Sequence, residues 1–178
     1  MQKQENKPSP LSALSYKLKA VSGFTLVEML IAISILILVA GIGGLYLNDL
    51  YGAKKVQNAA AQINALLLVA QEKSASQEGD SRWGVYFKRP GGGTASYELY
   101  KVNEGNIGNP PESDQIVQRV PLPIGVVFKN IASGLSKDIY FKKITGLPVT
   151  PDEIQLEDAE SANLITIKVE ANGRIDVQ

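Results

Sequence analysis

Residues 22–47 read SGFTLVEMLIAISILILVAGIGGLYL, and the reading of this stretch decides the rest of the chain. Of the 24 residues from Phe24 to Leu47, only Thr25, Glu28 and Ser34 are clearly polar. As a helix rising ~1.5 Å per residue the run would be ~36 Å long, enough for a hydrocarbon core of ~30 Å. Lys3, Lys7, Lys17 and Lys19 precede it against Glu5 alone. The positive-inside rule then places the N-terminus in the cytoplasm and the bulk of the chain beyond the membrane. Glu28 is out of place. A carboxylate at the centre of a membrane helix costs ~2.5–3.5 kcal/mol on insertion scales, so it calls for a partner.

Three readings of the segment compete. A secretory signal peptide would have a shorter apolar core of ~7–15 residues followed by a small-residue cut site. Here the core is longer, and the candidate sites after it, Ala40-Gly41-Ile42 and the alanines at 59–61, lie within helix-like sequence. A plain signal anchor accounts for the length and the lysines but not for Glu28. The third reading puts a cut before the apolar run, between Gly23 and Phe24.

The stretch GFTLVEMLIAISIL, through Gly23, Phe24, Thr25, Leu26 and Glu28, resembles the N-terminal signature of type IV pilins and type II secretion pseudopilins. The resemblance implies that a prepilin peptidase cuts after Gly23 on the cytoplasmic side and methylates the new N-terminal Phe24. It also implies that Glu28 meets the N-terminus of a neighbouring subunit during assembly. An exposed α-ammonium on Phe24 would sit at the positive end of a helix, where an acid is favoured. Glu28, one turn on, could also neutralise the ammonium of its own chain. The plainer alternative is an acid tolerated near the headgroups.

Composition narrows the chemistry. The chain has 178 residues, 18 basic and 18 acidic, with no cysteine and no histidine. Disulfides, thiolate chemistry, zinc sites built on His or Cys, and Ser-His-Asp or Cys-His mechanisms are excluded. Residues 1–23 carry a net charge of +3 and the remainder −3.

Beyond the apolar run, Val56, Ala60, Ile63, Leu67 and Ala70 recur at steps of four and three, with Leu66 widening the stripe. That spacing predicts an amphipathic helix buried along one face and ending near Gly79. A single helix from Phe24 to about Gln77 would have 54 residues and a length on the order of 80 Å. Gly41, Gly43 and Gly44 interrupt its apolar part, either as local weak points or as sites of close helix packing. From Arg82 onward the period changes to two. RWGVYFKR, ASYELYKV, QIVQRVPL, GVVFKN, DIYFKK and LITIKVEA read as strands. PGGG at 90–93 should turn the first pair, and Asn172-Gly173 reads as a type I′ hairpin turn.

The fold class is therefore α+β, a long N-terminal helix packed on a small antiparallel β domain. The resemblance implies the pilin fold. Trp83-Gly84-Val85, LPIGVVF at 122–128, YFKKITGLP at 140–148 and ITIKVEANGRIDV at the end are similar to the GspH/FimT group of minor pseudopilins and pilins. The chain divides into a leader peptide (1–23), a transmembrane helix (24–47), an amphipathic helix (48–79) and a β-rich domain (80–178).

Other candidate sites have plainer explanations. Asp152, Glu153, Glu157, Asp158 and Glu160 form an acidic cluster, but without a calcium-loop spacing it reads as a solvated loop and strand edge. The glycines at 91–93 lack the Lys-Ser/Thr of a phosphate loop. Trp83 and Tyr86 read as core, with a partner-facing surface as the alternative. Some FimT-like pilins bind DNA through basic residues near the C-terminus, but here Arg174 stands alone beside Asp176. Lys129, Lys142 and Lys143 are the other cations considered.

The sequence thus predicts a minor pseudopilin or pilin, a structural subunit with no catalytic residues, metal or cofactor. The resemblance implies as partners the prepilin peptidase, other pilin-like subunits, an inner-membrane assembly platform and membrane lipid. Nucleic acid is not an expected partner. The expected location is the bacterial inner membrane, single-pass, N-terminus cytoplasmic, and then the filament. A membrane-anchored module binding DNA or a secreted substrate is the alternative.

Overall fold

The computed structural model describes residues 23–102, 110–160 and 162–178, without the side chains of 42–50. The expected leader, apart from Gly23, and the side chains of the last part of the apolar run thus lie outside the described residues. Helix α1 spans Leu26–Ala75. The chain divides within it into two compact units, one up to Ile42 and one from Gly43 onward.

In the first unit the large apolar side chains between Phe24 and Val39 are exposed. Ser34, the polar residue in their midst, is satisfied locally, its hydroxyl donating to the Leu30 carbonyl at 2.8 Å. Among the described residues no helix is long and apolar enough to cross a membrane; side chains of the apolar run are described only as far as Gly41.

The second unit is built on the stripe read from the sequence. Val56, Ala60, Ile63, Leu66, Leu67 and Ala70 are all buried, joined by Ala59. Ser74 continues the stripe as a polar residue. Its hydroxyl accepts from the Trp83 N–H at 2.8 Å and lies 3.2 Å from the Trp83 carbonyl. These bonds tie the helix end to the first strand, and α1 stops at Ala75, short of Gln77. Gln77 takes a left-handed φ of 55°, and a short 3-10 turn, Glu78–Asp80, leads into the sheet.

Among the described residues eight strands follow: β1 Arg82–Lys88, β2 Ser96–Val102, β3 Ile116–Pro121, β4 Val126–Phe128, β5 Ser136–Tyr140, β6 Asp152–Asp158, β7 Leu164–Val169 and β8 Ile175–Val177. They form two antiparallel four-stranded sheets, ordered β3-β2-β1-β5 and β4-β6-β7-β8. Trp83, Val85 and Phe87 from the first sheet meet Phe128, Ile154, Leu156 and Ile167 from the second and the helix stripe in one core. The architecture is α+β.

Three expectations need correction. The strand placed at DIYFKK lies two residues earlier, because Phe141 leaves the ladder for an isolated bridge to Pro148. The acidic stretch is largely strand β6, not loop. Ile154 and Leu156 are fully buried, while Glu153 and Gln155 alternate with them. The last hairpin exists, but its turn is not type I′. Glu170 N–H bonds to the Arg174 carbonyl around a three-residue loop, and only Gly173 within it has a positive φ, +85°. A three-residue loop closed by a left-handed glycine is the alternative hairpin solution. Asn172 instead accepts from the Arg174 N–H at 2.9 Å.

Candidate functional site

Gly23, Phe24 and Thr25 precede α1 in non-helical, exposed backbone. Thr25 is the N-cap. Its hydroxyl oxygen lies 3.2 Å from the Glu28 N–H, which donates to it. Glu28 Oε2 reaches back and accepts from the Thr25 N–H at 2.9 Å and from the Thr25 hydroxyl at 3.0 Å. This reciprocal arrangement is a capping box, which satisfies backbone donors that the first helical turn leaves open. Glu28 therefore has a partner within its own chain that the sequence reading missed, although the signal is present as T-x-x-E ahead of an apolar run. Gly23 is different. A Cβ built on it would meet nothing within 4 Å, so the chain's own packing gives no reason for glycine there.

The acidic cluster is dispersed by the sheet. Asp152 pairs with Lys137 at 2.7 Å and Glu157 with Lys129 at 2.8 Å, while Asp158 is buried. Among the described residues no group of three or more His, Cys, Asp or Glu side chains could hold a metal ion. Gly91–Gly93 lie in the β1–β2 connection, with open space around each.

Trp83 and Tyr86 are buried on opposite faces of β1. Trp83 Nε1 donates to the Glu78 carbonyl at 3.0 Å, and the Lys73 and Lys101 ammoniums lie 4.7 and 5.4 Å from its ring centroid. Tyr86 meets Tyr100 edge-on, with centroids 6.3 Å apart. On that same face Glu98 is buried against Arg119 Nε at 2.6 Å. Burial pushes the Tyr100 phenol well above the usual tyrosine range, and the negative charge of Asp138 adds to the shift. These groups hold the sheet together; none faces an open cleft.

The cations considered for phosphate contact are largely engaged. Arg174 forms ion pairs with Glu170 and Asp176, Lys143 with Asp80 at 2.9 Å, and Lys129 with Glu157. The structure does not gather them into one unneutralised patch.

Residues 18–44 match the family described as prokaryotic N-terminal methylation motif. No curated protein matches the chain. Among solved structures it is similar to the minor pseudopilin EpsH from the Type 2 Secretion System of Vibrio cholerae, at 14% identity and a TM-score of 0.48, covering 70% of this chain and 96% of that one. That likeness is too distant to carry an argument about function.

Proposed function

From the premise that the chain carries the N-terminal methylation motif of the type IV pilin and pseudopilin family, we propose that it is a minor pilin-like subunit of a type II secretion pseudopilus or a type IV pilus. In this reading residues 1–23 are the leader, 24–47 the membrane anchor, 48–79 the amphipathic helix and 80–178 the domain displayed beyond the inner membrane. Prepilin peptidase cuts the Gly23–Phe24 bond and methylates Phe24. Glu28 then serves assembly with other pilin-like subunits on an inner-membrane platform.

The motif match over 18–44 carries the proposal. Two features of the described residues support the cut. The bond lies in exposed backbone ahead of a capped helix, where a protease can reach it without unwinding α1. Glycine at 23 has no role in packing, which fits selection by an outside pocket that admits no side chain. The apolar residues from Phe24 to Val39 suit an environment without water, since a helix apolar all round is one that is buried.

Mass spectrometry of the membrane-extracted protein tests it. The expected product begins at methylated Phe24 and keeps 155 of the 178 residues, 23 having been removed. An intact Met1 end in cells with active peptidase, or a cut downstream of Leu47, would sink the proposal. Deleting the gene and assaying secretion and piliation in parallel separates the two machines.

A further inference from the structure

Within the second unit α1 and β1 run in opposite directions. Ser74 bonds to Trp83 at the start of β1, while Gln62, three turns earlier, accepts from the Tyr97 hydroxyl at 3.0 Å. Tyr97 pairs with Phe87 at the far end of β1. Continuing past Phe87 therefore leads toward the end of the domain that the helix enters. Three loops lie there: 89–95, 122–125 and 129–135. They are bonded into one body. Arg89 N–H donates to the Leu135 carbonyl, Gly134 N–H to the Arg89 carbonyl, and Leu122 N–H to the Ala95 carbonyl. The Arg89 guanidinium donates to the Phe128 and Ile131 carbonyls at 2.6 and 2.8 Å.

This hydrogen-bonded cluster holds two apolar side chains out. Val126 N–H bonds to the Pro123 carbonyl, closing a turn with Ile124 second and Gly125 third, at φ +90°. Leu135 N–H closes a like turn on Ala132, with Gly134 third at φ +83°. Glycine at the third position is what a type II turn requires. Ile124 is 88% exposed and Leu135 60%. Neither is there by looseness. Lys54, Lys55 and Lys88 are exposed at the same end. The acids at this end are Asp152, paired with Lys137, Glu153, whose carboxylate accepts from the Gln155 amide, Glu157, paired with Lys129, buried Asp158, and exposed Glu160.

What covers the tips follows from the tether. Only eight residues, 48–55, separate the apolar run from Val56, the first buried residue of the helix stripe. Even fully extended they span no more than about 30 Å, which bounds how far this end of the domain can lie from the end of the apolar run. Apolar tips with neighbouring lysines suit an interface of acyl chains and anionic headgroups. We propose that Ile124 and Leu135, set out by their two turns beside the entering helix, dock the domain on an anionic lipid surface while the subunit resides in the membrane. This rests on the anchor reading above.

The full chain has no cysteine, so single-cysteine variants can carry a fluorophore at one place. The variants are Ile124→Cys, Leu135→Cys, Asn172→Cys in the loop that Gln71 contacts at the opposite end, and Ser34→Cys within the anchor. Each is reconstituted in phosphatidylethanolamine–phosphatidylglycerol vesicles containing a lipid with a nitroxide at headgroup depth or in the acyl chain. Labels at 124 and 135 should be quenched by the headgroup nitroxide several-fold more than the label at 172. Equal quenching at 124, 135 and 172, with Ser34 quenched by the acyl-chain nitroxide, overturns the docking alone. No quenching at Ser34 removes the anchor reading, and the docking with it. Shielding at 124 that grows with protein density but not with lipid nitroxide would assign the surface to a second copy and likewise overturn the proposal.

Discussion

The Tyr100 hydroxyl donates to Asp138 Oδ2 at 2.9 Å, reaching from β2 across β1 to β5, and Gly84 is the residue it crosses. Gly84 faces Tyr100 on one side and Tyr140 on the other. A Cβ at 84 would stand 2.6 Å from Tyr140 Cβ, 2.8 Å from the Ile139 carbonyl oxygen and 3.0 Å from Tyr100 Cε1. Two of those three atoms are fixed by the backbone. Gly84→Ala should therefore destabilise the domain by roughly 1–3 kcal/mol, the usual range for overpacking. A thermal melt reads this directly, and an unchanged midpoint would mean that the strand yields to the methyl at no cost.

The same contact sets an alkaline limit. The Tyr100 phenol is raised by burial first and by Asp138 second, and Tyr97 is raised by burial. A group whose folded pKa lies above its unfolded value holds its proton more tightly when folded. Its stabilising contribution is complete below the unfolded pKa of about 10 and is lost as pH rises beyond it. Denaturant unfolding at pH 8, 10 and 11 should show stability falling above pH 10. The fall should be shallower in Tyr100→Phe, which cannot ionise there. Parallel losses in both proteins would mean that Tyr100 does not carry the effect and would leave Tyr97 as the buried phenol to test.

A fragment beginning at Leu50 should fold alone. It keeps the whole helix stripe and both sheets, and no metal or disulfide is invoked to hold them. Circular dichroism should give a cooperative melt that EDTA leaves in place. A large loss of stability in chelator would restore the calcium reading of the acidic residues around β6.

How much of this was legible depends on how far apart the deciding residues are. The stripe from Val56 to Ala70 was readable because helical periodicity is local, and all its predicted members are buried. The strand β6 was not. DEIQLED has four acids in seven residues, and its strand character comes from pairing with β4 and β7 and from burial of Ile154 and Leu156. The Asn172-Gly173 turn was located correctly but mistyped, since the register of β7 on β8 decides whether a loop has two residues or three. The division into two sheets was also hidden, because β1 takes β5 as a neighbour across some fifty residues of sequence. The role of Gly84 depends on both Tyr100 and Tyr140, which no local pattern brings together. At the N-terminus the reverse holds. The Thr25–Glu28 box is a local pattern, T-x-x-E ahead of an apolar run, but the same carboxylate also reads as a counter-charge for an N-terminal ammonium, and that reading hides the cap.

That box sharpens the test of Glu28. Under the proposed processing both residues lie on the mature side of the Gly23–Phe24 bond, so a cut there would leave the cap and add an ammonium one residue before it. Glu28 then has two possible duties, capping its own helix and neutralising an N-terminus. Two substitutions separate them. Thr25→Val removes the cap hydroxyl and keeps the charge. Glu28→Gln removes the charge yet retains an oxygen that can accept from the Thr25 N–H. Insertion of Glu28→Gln should be unharmed or improved, since an uncharged side chain is cheaper to place in lipid. Cleavage after Gly23 should persist in both. Assembly should fail in Glu28→Gln, because an ammonium buried among neighbouring helices loses its counter-charge, and should persist in Thr25→Val. Crosslinking to partner pilins beside a secretion or piliation assay reports the difference. If Thr25→Val fails and Glu28→Gln assembles like wild type, the carboxylate serves the helix cap and not the filament.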